Sequence, residues 1–247
     1  YPGGPPPGLD VTQRNERMWA NVITLARKGV SAPVTSSAGR LFDAVSALLG
    51  VRDTINYEGQ AAVELEQLAA PSEAGAYQAS IEPGALSELG PPSEPGTPTP
   101  SESGAAGERA PRERGAPGQP GSPSQSSSPG APRAPFRVAG TDLVRQAAAD
   151  LADGTDRGII AARFHNGVAR LIEEACVLIR EREGLVTVAL SGGVFQNLTL
   201  LHQAVARLEA RGFRVLVHSR VPCNDGGISL GQAVVAASRD QSAEAYL

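Results

Sequence analysis

The chain has 247 residues, with 22 lysines and arginines against 26 aspartates and glutamates, for a formal net charge of −4. So close to balance, and without a polybasic run, it presents no basic face for nucleic acid and no electrostatic anchor for a membrane; no apolar stretch reaches the ~18–20 residues that a membrane-spanning helix needs. The two cysteines, Cys176 and Cys223, are too few for a disulfide framework, and the cytoplasm is the expected compartment.

The opening Tyr1-Pro-Gly-Gly-Pro-Pro-Pro has neither the basic head nor the apolar core of a secretion signal, and the one methionine is Met18, so the chain reads as part of a longer protein. Residues 1–70 form a first, mainly helical block. Met18, Val22, Ile23 and Leu25 make one apolar patch before Pro33 interrupts. Leu41, Phe42, Val45, Leu48 and Leu49 then recur at helical spacing, and Gly50 suits the stop. A further helix is expected from about Gly59 to Ala69, with Ala62, Val63, Leu65 and Leu68 available to a core.

Residues 71–135 hold 14 of the 20 prolines and 10 of the 28 glycines, with serine, alanine and glutamate in most other places. Such a stretch cannot bury enough apolar surface to offset its ordering entropy, so a disordered insertion with polyproline II character is expected.

Residues 136–247 form the third block. Thr141 or Asp142 suits the cap of a helix running to about Asp150, and a long helix follows from about Asp156 to Arg182 with the stripe Ile159, Ile160, Phe164, Val168, Leu171, Ile172, Ala175 and Ile179. Leu185–Leu190 is a nearly continuous apolar run, as in a buried parallel strand. A turn, a helix bearing Leu198, Leu201, Val205 and Leu208, and a second strand at Phe213–His218 complete a strand–helix–strand unit. The fold class is therefore α/β.

Four constellations can carry chemistry. Ser191-Gly192-Gly193-Val194-Phe195-Gln196-Asn197 lies between a strand and a helix, where paired glycines let a backbone approach a phosphate and unpaired N–H groups favour an anion; a plain tight turn is the alternative. Asn224-Asp225-Gly226-Gly227 follows the next strand, and Asp225 suits either a metal ion or a helix cap. Both loops leave parallel strands at the same sheet edge, where α/β proteins bind ligands. Asp43, beside Phe42 in an apolar helix, needs partners: ribose hydroxyls or Arg40. Tyr57-Glu58-Gly59-Gln60 leads into a helix, and Glu58 and Gln60 suit a ligand or a cap. His165, His202 and His218 do not stand at a metal-ligand spacing, and none is assigned to a metal.

The stretches SAPVTSSAGRLFDAVSALLGV, YEGQAAVELEQLA, IAARFHNGVA, VALSGGVFQN and GFRVLVHSRVPCNDGGISLGQA together resemble the HypF-type carbamoyltransferases of nickel–iron hydrogenase maturation. They cover most of the chain outside the insertion, in the family's order. The resemblance implies part of an actin/sugar-kinase/Hsp70-like ATPase fold with a nucleotide in the cleft between two lobes. It implies ATP and carbamoyl phosphate as substrates, a carbamoyl-adenylate intermediate, and transfer to the C-terminal cysteine of a HypE-type partner, with neither nucleic acid nor membrane involved. By motif position, Asp43 and Asn197 would contact the nucleoside and Gly192 and Gly193 its phosphates. Gln60 stands where the related tRNA threonylcarbamoyl-transfer proteins usually have glycine. Asp225 would be the carboxylate ligand of a divalent metal such as iron or zinc, whose two histidine ligands lie upstream in the family and have no counterpart here. The alternatives are the tRNA-modifying relatives, against which Phe195-Gln196 and Tyr57-Glu58-Gly59-Gln60 speak, and a non-catalytic nucleotide-binding piece.

Overall fold

The structure, a computed structural model, describes residues 9–33, 35–83 and 136–244. The chain divides into two units, one of Tyr1–Ile81 with Val138–Leu247 and the other of Glu82–Arg137. Of the second unit only the ends are described, in strands β1 (Ile81–Pro83) and β2 (Phe136–Val138), which begin and end in the first unit and pair with each other. The body of the expected insertion, from 84 to 135, lies outside the described residues.

Its expected start at residue 71 needs correction. Residues 71–83 have little regular structure, yet side chains of the following block tie them down. Asn166 donates its amide to the carbonyls of Glu73 and Gly75, Asp142 accepts from both the backbone and the hydroxyl of Ser80, and the Tyr77 hydroxyl donates to Asp150 at 2.7 Å. Tyr77 is buried in the main core. The composition of 71–135 hid this, because a single aromatic residue with three polar clamps orders a segment whose average is that of a linker. The same contacts correct the helix start near 141. Helix α5 runs Gly140–Ala152 with no side-chain cap, and Asp142 is engaged by Ser80 instead.

The first unit is mixed α/β with helices dominant. Helices α1 (Asp10–Arg14), α2 (Glu16–Lys28), α3 (Ala38–Leu48) and α4 (Gln60–Leu68) precede the pair of short strands. After α5 comes α6 (Arg157–Glu183), about 40 Å long at 1.5 Å per residue, begun by the Asp156 side chain accepting from the N–H groups of Gly158 and Ile159. Its apolar stripe makes it the spine against which α4, α5 and α7 (Leu198–Ala210) pack. Phe42 of α3 meets Phe164 of α6 edge to face at 4.8 Å, with Leu49, Leu65, Leu143, Ile160 and Leu200 fully buried around them. Ala61 and Leu65 carry the inward face of α4, whereas Val63 and Leu68, expected in the core, are exposed.

Strands β3 (Thr187–Leu190) and β4 (Arg214–Val217) pair in parallel, Thr187 opposite Arg214 and Leu190 opposite Val217, joined through α7 as expected. The expected burial of the first strand is corrected. Leu190 and Phe213 are buried with Ala204 and Leu208 of α7, but Leu185 and Val186, just ahead of β3, and Leu216 and Val217, at the end of β4, are exposed, because a sheet of two short strands buries little beyond the residues that meet α6 and α7. The apolar patch of α2 is likewise exposed, and α8 (Ile228–Glu244) has no buried residue among those described. Among the described residues, no helix is long and apolar enough to cross a membrane.

Candidate functional site

Level strand ends bring the two following loops together. Ser191 succeeds Leu190, His218 succeeds Val217, and the Ser191 hydroxyl lies 2.9 Å from His218 Nε2. The Gly192 N–H donates to the carbonyl of Cys223 at 2.8 Å, tying the Ser191-Gly-Gly loop to the Asn224-Asp225 loop. These loops, the start of α3 and the turn before α4 enclose a cleft of about 1290 Å³. That is ample for a nucleotide, since small-ligand sites run from roughly 300 to 1,000 Å³.

Gly192 has φ +111°, and a Cβ there would meet no atom within 4 Å; it would project into open space at the cleft wall. Gly193–Gln196 forms a single 3₁₀ turn. Phe195 is the first residue whose N–H closes it, onto the Gly192 carbonyl, so helix geometry leaves the Gly193 and Val194 N–H groups for an acceptor from the cleft. The start of α7, a few residues on, is different. The Leu200 N–H is capped by Asn197 Oδ1 at 2.8 Å, and the Thr199 N–H donates to Glu66 of α4, also at 2.8 Å. A carboxylate thus already complements this helix end, and the anion-binding geometry expected here belongs to the 3₁₀ turn and not to α7.

Asp43 lines the cleft. Its contact to Arg40 Nη1 is long, 3.5 Å, and the Arg40 side chain is 71% exposed, so the ion pair is weak and the carboxylate remains available to a ligand. Asn197 also lines the cleft although it is only 6% exposed. Asp225 lies on the third wall. The side chain that caps the turn there is Asn224, whose Oδ1 accepts from the Gly226 N–H at 3.1 Å. The Asp225 carboxylate has no hydrogen bond or ion pair among the described residues. Gln60 is not brought to the cleft. It is buried behind the turn, accepting from the Asn56 N–H at 2.7 Å and donating to Glu64 at 3.0 Å, while Arg52 grips Glu64 through two bonds. Its neighbours Tyr57, Glu58 and Gly59 form the wall instead.

Three residues with parts in the site were not singled out from the sequence for those parts: Glu66, Asn224 and His165. His165 is fully buried on α6, its Nδ1 2.7 Å from the Ala161 carbonyl and its Nε2 2.8 Å from the Asn197 amide nitrogen. A histidine and an asparagine in sequence on the buried face of an apolar stripe, Phe164-His165-Asn166, was the available signal. Among the described residues no three His, Cys, Asp or Glu side chains gather as a metal site would require.

A family described as "carbamoyltransferase, Kae1-like domain, second subdomain" matches residues 8–91 and 122–232. The chain belongs to this family. Relatives of the Kae1-like carbamoyltransferase family include carbamoyltransferase HypF2 of Cupriavidus necator, 37% identical over 85% of this chain, and carbamoyltransferase HypF of Rhodobacter capsulatus, 32% identical over 88%. The matches span only 23% and 22% of those proteins. A shorter HypF homolog of C. necator is 32% identical over 92% of this chain, which spans 47% of it. A full-length HypF solved in a phosphate- and nucleotide-bound form superposes over 92% of this chain and 23% of its own, with a TM-score of 0.67 at 33% identity. T. kodakarensis HypF, at 22% identity and a TM-score of 0.60, shares the fold.

Proposed function

We propose that this chain is the nucleotide-facing part of a HypF-type carbamoyltransferase of hydrogenase maturation, built on an actin-like ATPase fold to which these residues contribute one lobe. The substrates would be carbamoyl phosphate and ATP, joined as carbamoyl-adenylate, with the carbamoyl group passed on to the C-terminal cysteine of a HypE-type partner. The observation that carries the reading is the convergence of both strand-end loops and the start of α3 on one cleft. Phosphates would lie along Gly192 and Gly193, where no Cβ intervenes and the Gly193 and Val194 N–H groups have no acceptor among the described residues. Asp43 would accept from ribose hydroxyls, and Asn197 would offer its amide to the nucleoside. That a full-length relative was solved with phosphate and nucleotide bound supports this.

A divalent metal is a separate matter. Asp225 is one carboxylate, and the described residues do not by themselves fit a metal centre. A metal such as iron or zinc therefore rests on the resemblance and on ligands from elsewhere, and no step is assigned to it.

The test is ADP titration by calorimetry on the complete protein, with carbamoylation of the HypE-type partner followed in parallel. Asp43→Ala should weaken ADP binding about tenfold or more through loss of charge-assisted hydrogen bonds, with the melting temperature held. A wild-type protein that carbamoylates its partner but leaves ADP unbound, or binds it equally well after Asp43→Ala, would refute the assignment of this cleft.

A further inference from the structure

The hydrogen bonds between α6 and α7 have only one consistent direction. The Leu200 N–H can only donate, so the Asn197 atom facing it at 2.8 Å is Oδ1. The amide nitrogen of Asn197 then faces His165 Nε2 at 2.8 Å, and because it donates, Nε2 must accept. The imidazole proton therefore sits on Nδ1, directed at the Ala161 carbonyl 2.7 Å away, which can only accept. A proton on Nε2 would set two donors against each other. Burial favours the uncharged ring, which lies edge-on to Phe42 and Phe164, and outweighs the opposing pull of the Glu66 carboxylate of α4.

The arrangement leaves Asn197 little freedom. Its oxygen is committed to α7 and one amide N–H to His165, and the side chain is buried except where it meets the cleft. From these contacts we infer that His165, which never reaches the cleft wall, is a positioning residue: it locks the Asn197 amide so that its second N–H is held out as a donor to an acceptor atom of the nucleoside. The inference rests on the nucleotide reading of the cleft. It adds the chemical class of the ligand atom, an acceptor such as a ring nitrogen or a ribose oxygen, and the residue that enforces the choice.

Substitution at 165 tests it, with ADP affinity of the complete protein measured by calorimetry. Gln can bring a carbonyl oxygen close to the place of Nε2; Asn can replace the Nδ1 donor but not the Nε2 acceptor; Phe replaces neither. His165→Phe and Asn197→Ala should each weaken ADP binding about tenfold. The double variant should be no weaker than either single one, because both remove the same contact. His165→Gln should stay within about threefold of wild type, and His165→Asn should resemble His165→Phe. If His165→Phe proves unfolded, the Gln and Asn variants decide by their order. Wild-type affinity in His165→Phe or His165→Asn, or losses that multiply in the double variant, overturns the inference while the nucleotide reading survives. A wild-type protein that binds no ADP overturns both.

Discussion

Because the Asn224 side chain caps the turn ahead of α8, Asp225→Ala removes a carboxylate from the cleft without removing a cap. The expected result is a melting temperature close to wild type, a change within about 0.5 kcal/mol as for an exposed substitution, together with a marked loss of carbamoyl transfer. Asn224→Ala should do the reverse, costing about 1 kcal/mol of stability measured by denaturant titration. A second expectation concerns acid. Burial holds the His165 imidazole below its ordinary pKa of 6.5. Between the two values the unfolded chain binds a proton that the native chain refuses, so the stability due to this site is complete above about pH 6.5 and is lost as pH falls from there, at up to ~1.4 kcal/mol per unit. The carboxylates of Asp142, held low by the Ser80 hydroxyl and N–H, and of Glu64, held low by Arg52 and Gln60, lose their contribution only at lower pH. Denaturation midpoints of His165→Gln should therefore fall less steeply than those of wild type as pH drops below about 6.5.

Among the elements, α6 does most to organise the unit, and Gly167 is where it is approached most closely. A Cβ at 167 would stand 2.8 Å from the Tyr77 carbonyl and 3.1 Å from Leu143 Cδ2. The carbonyl belongs to backbone pinned by the Tyr77 N–H on the Arg163 carbonyl and by Asn166 on Glu73 and Gly75, so it cannot yield cheaply. Gly167→Ala should destabilise by roughly 1–3 kcal/mol, read as a lower denaturant midpoint with an unchanged slope. The elements that were legible in the sequence are those with a strong period and a clear stop: α6 with Asp156 ahead of it, α7 between two apolar runs, and α3 stopped just short of Gly50. Those not legible depend on partners distant in sequence. Pattern alone cannot see that Tyr77 pulls 71–83 onto α5 and α6, or that β1 and β2, each of three residues, find one another across the insertion. The same holds at the site. The Ser191-Gly-Gly and Asn224-Asp225 loops were legible because parallel strands set their common edge. Gln60 was not, because its direction depends on Asn56 and Glu64, and the role of Glu66 appears only once α4 lies against α7.

At the scale of the molecule, apolar surface is distributed unevenly. Leu185, Val186, Leu216 and Val217 at and beside the two-stranded sheet and Ile228, Leu230, Val234 and Val235 on α8 are all exposed, more than scattered single apolar residues would give. Produced by itself, the chain should bind a hydrophobic dye such as ANS strongly, and Leu216→Lys with Val234→Lys should reduce that signal without lowering the melting temperature. Dye binding no greater than that of an ordinary compact protein would mean that these faces are covered within the chain.

The ladder of β1 with β2 has one more consequence, and it concerns how such a chain can change over time. The family pattern stops at residue 91 and resumes at 122, while Ile81–Pro83 and Phe136–Val138 remain paired. The closure term of a flexible connection between fixed ends grows only with the logarithm of its length, about 0.6 kcal/mol for each doubling. Replacing 84–135 with a ten-residue Gly-Ser linker should accordingly leave the melting temperature equal or slightly higher and ADP affinity unchanged. Length at this point is thus nearly invisible to selection on stability. Replication slippage in a Pro/Gly/Ser-rich coding stretch can add or remove residues there without disturbing the residues that face the cleft.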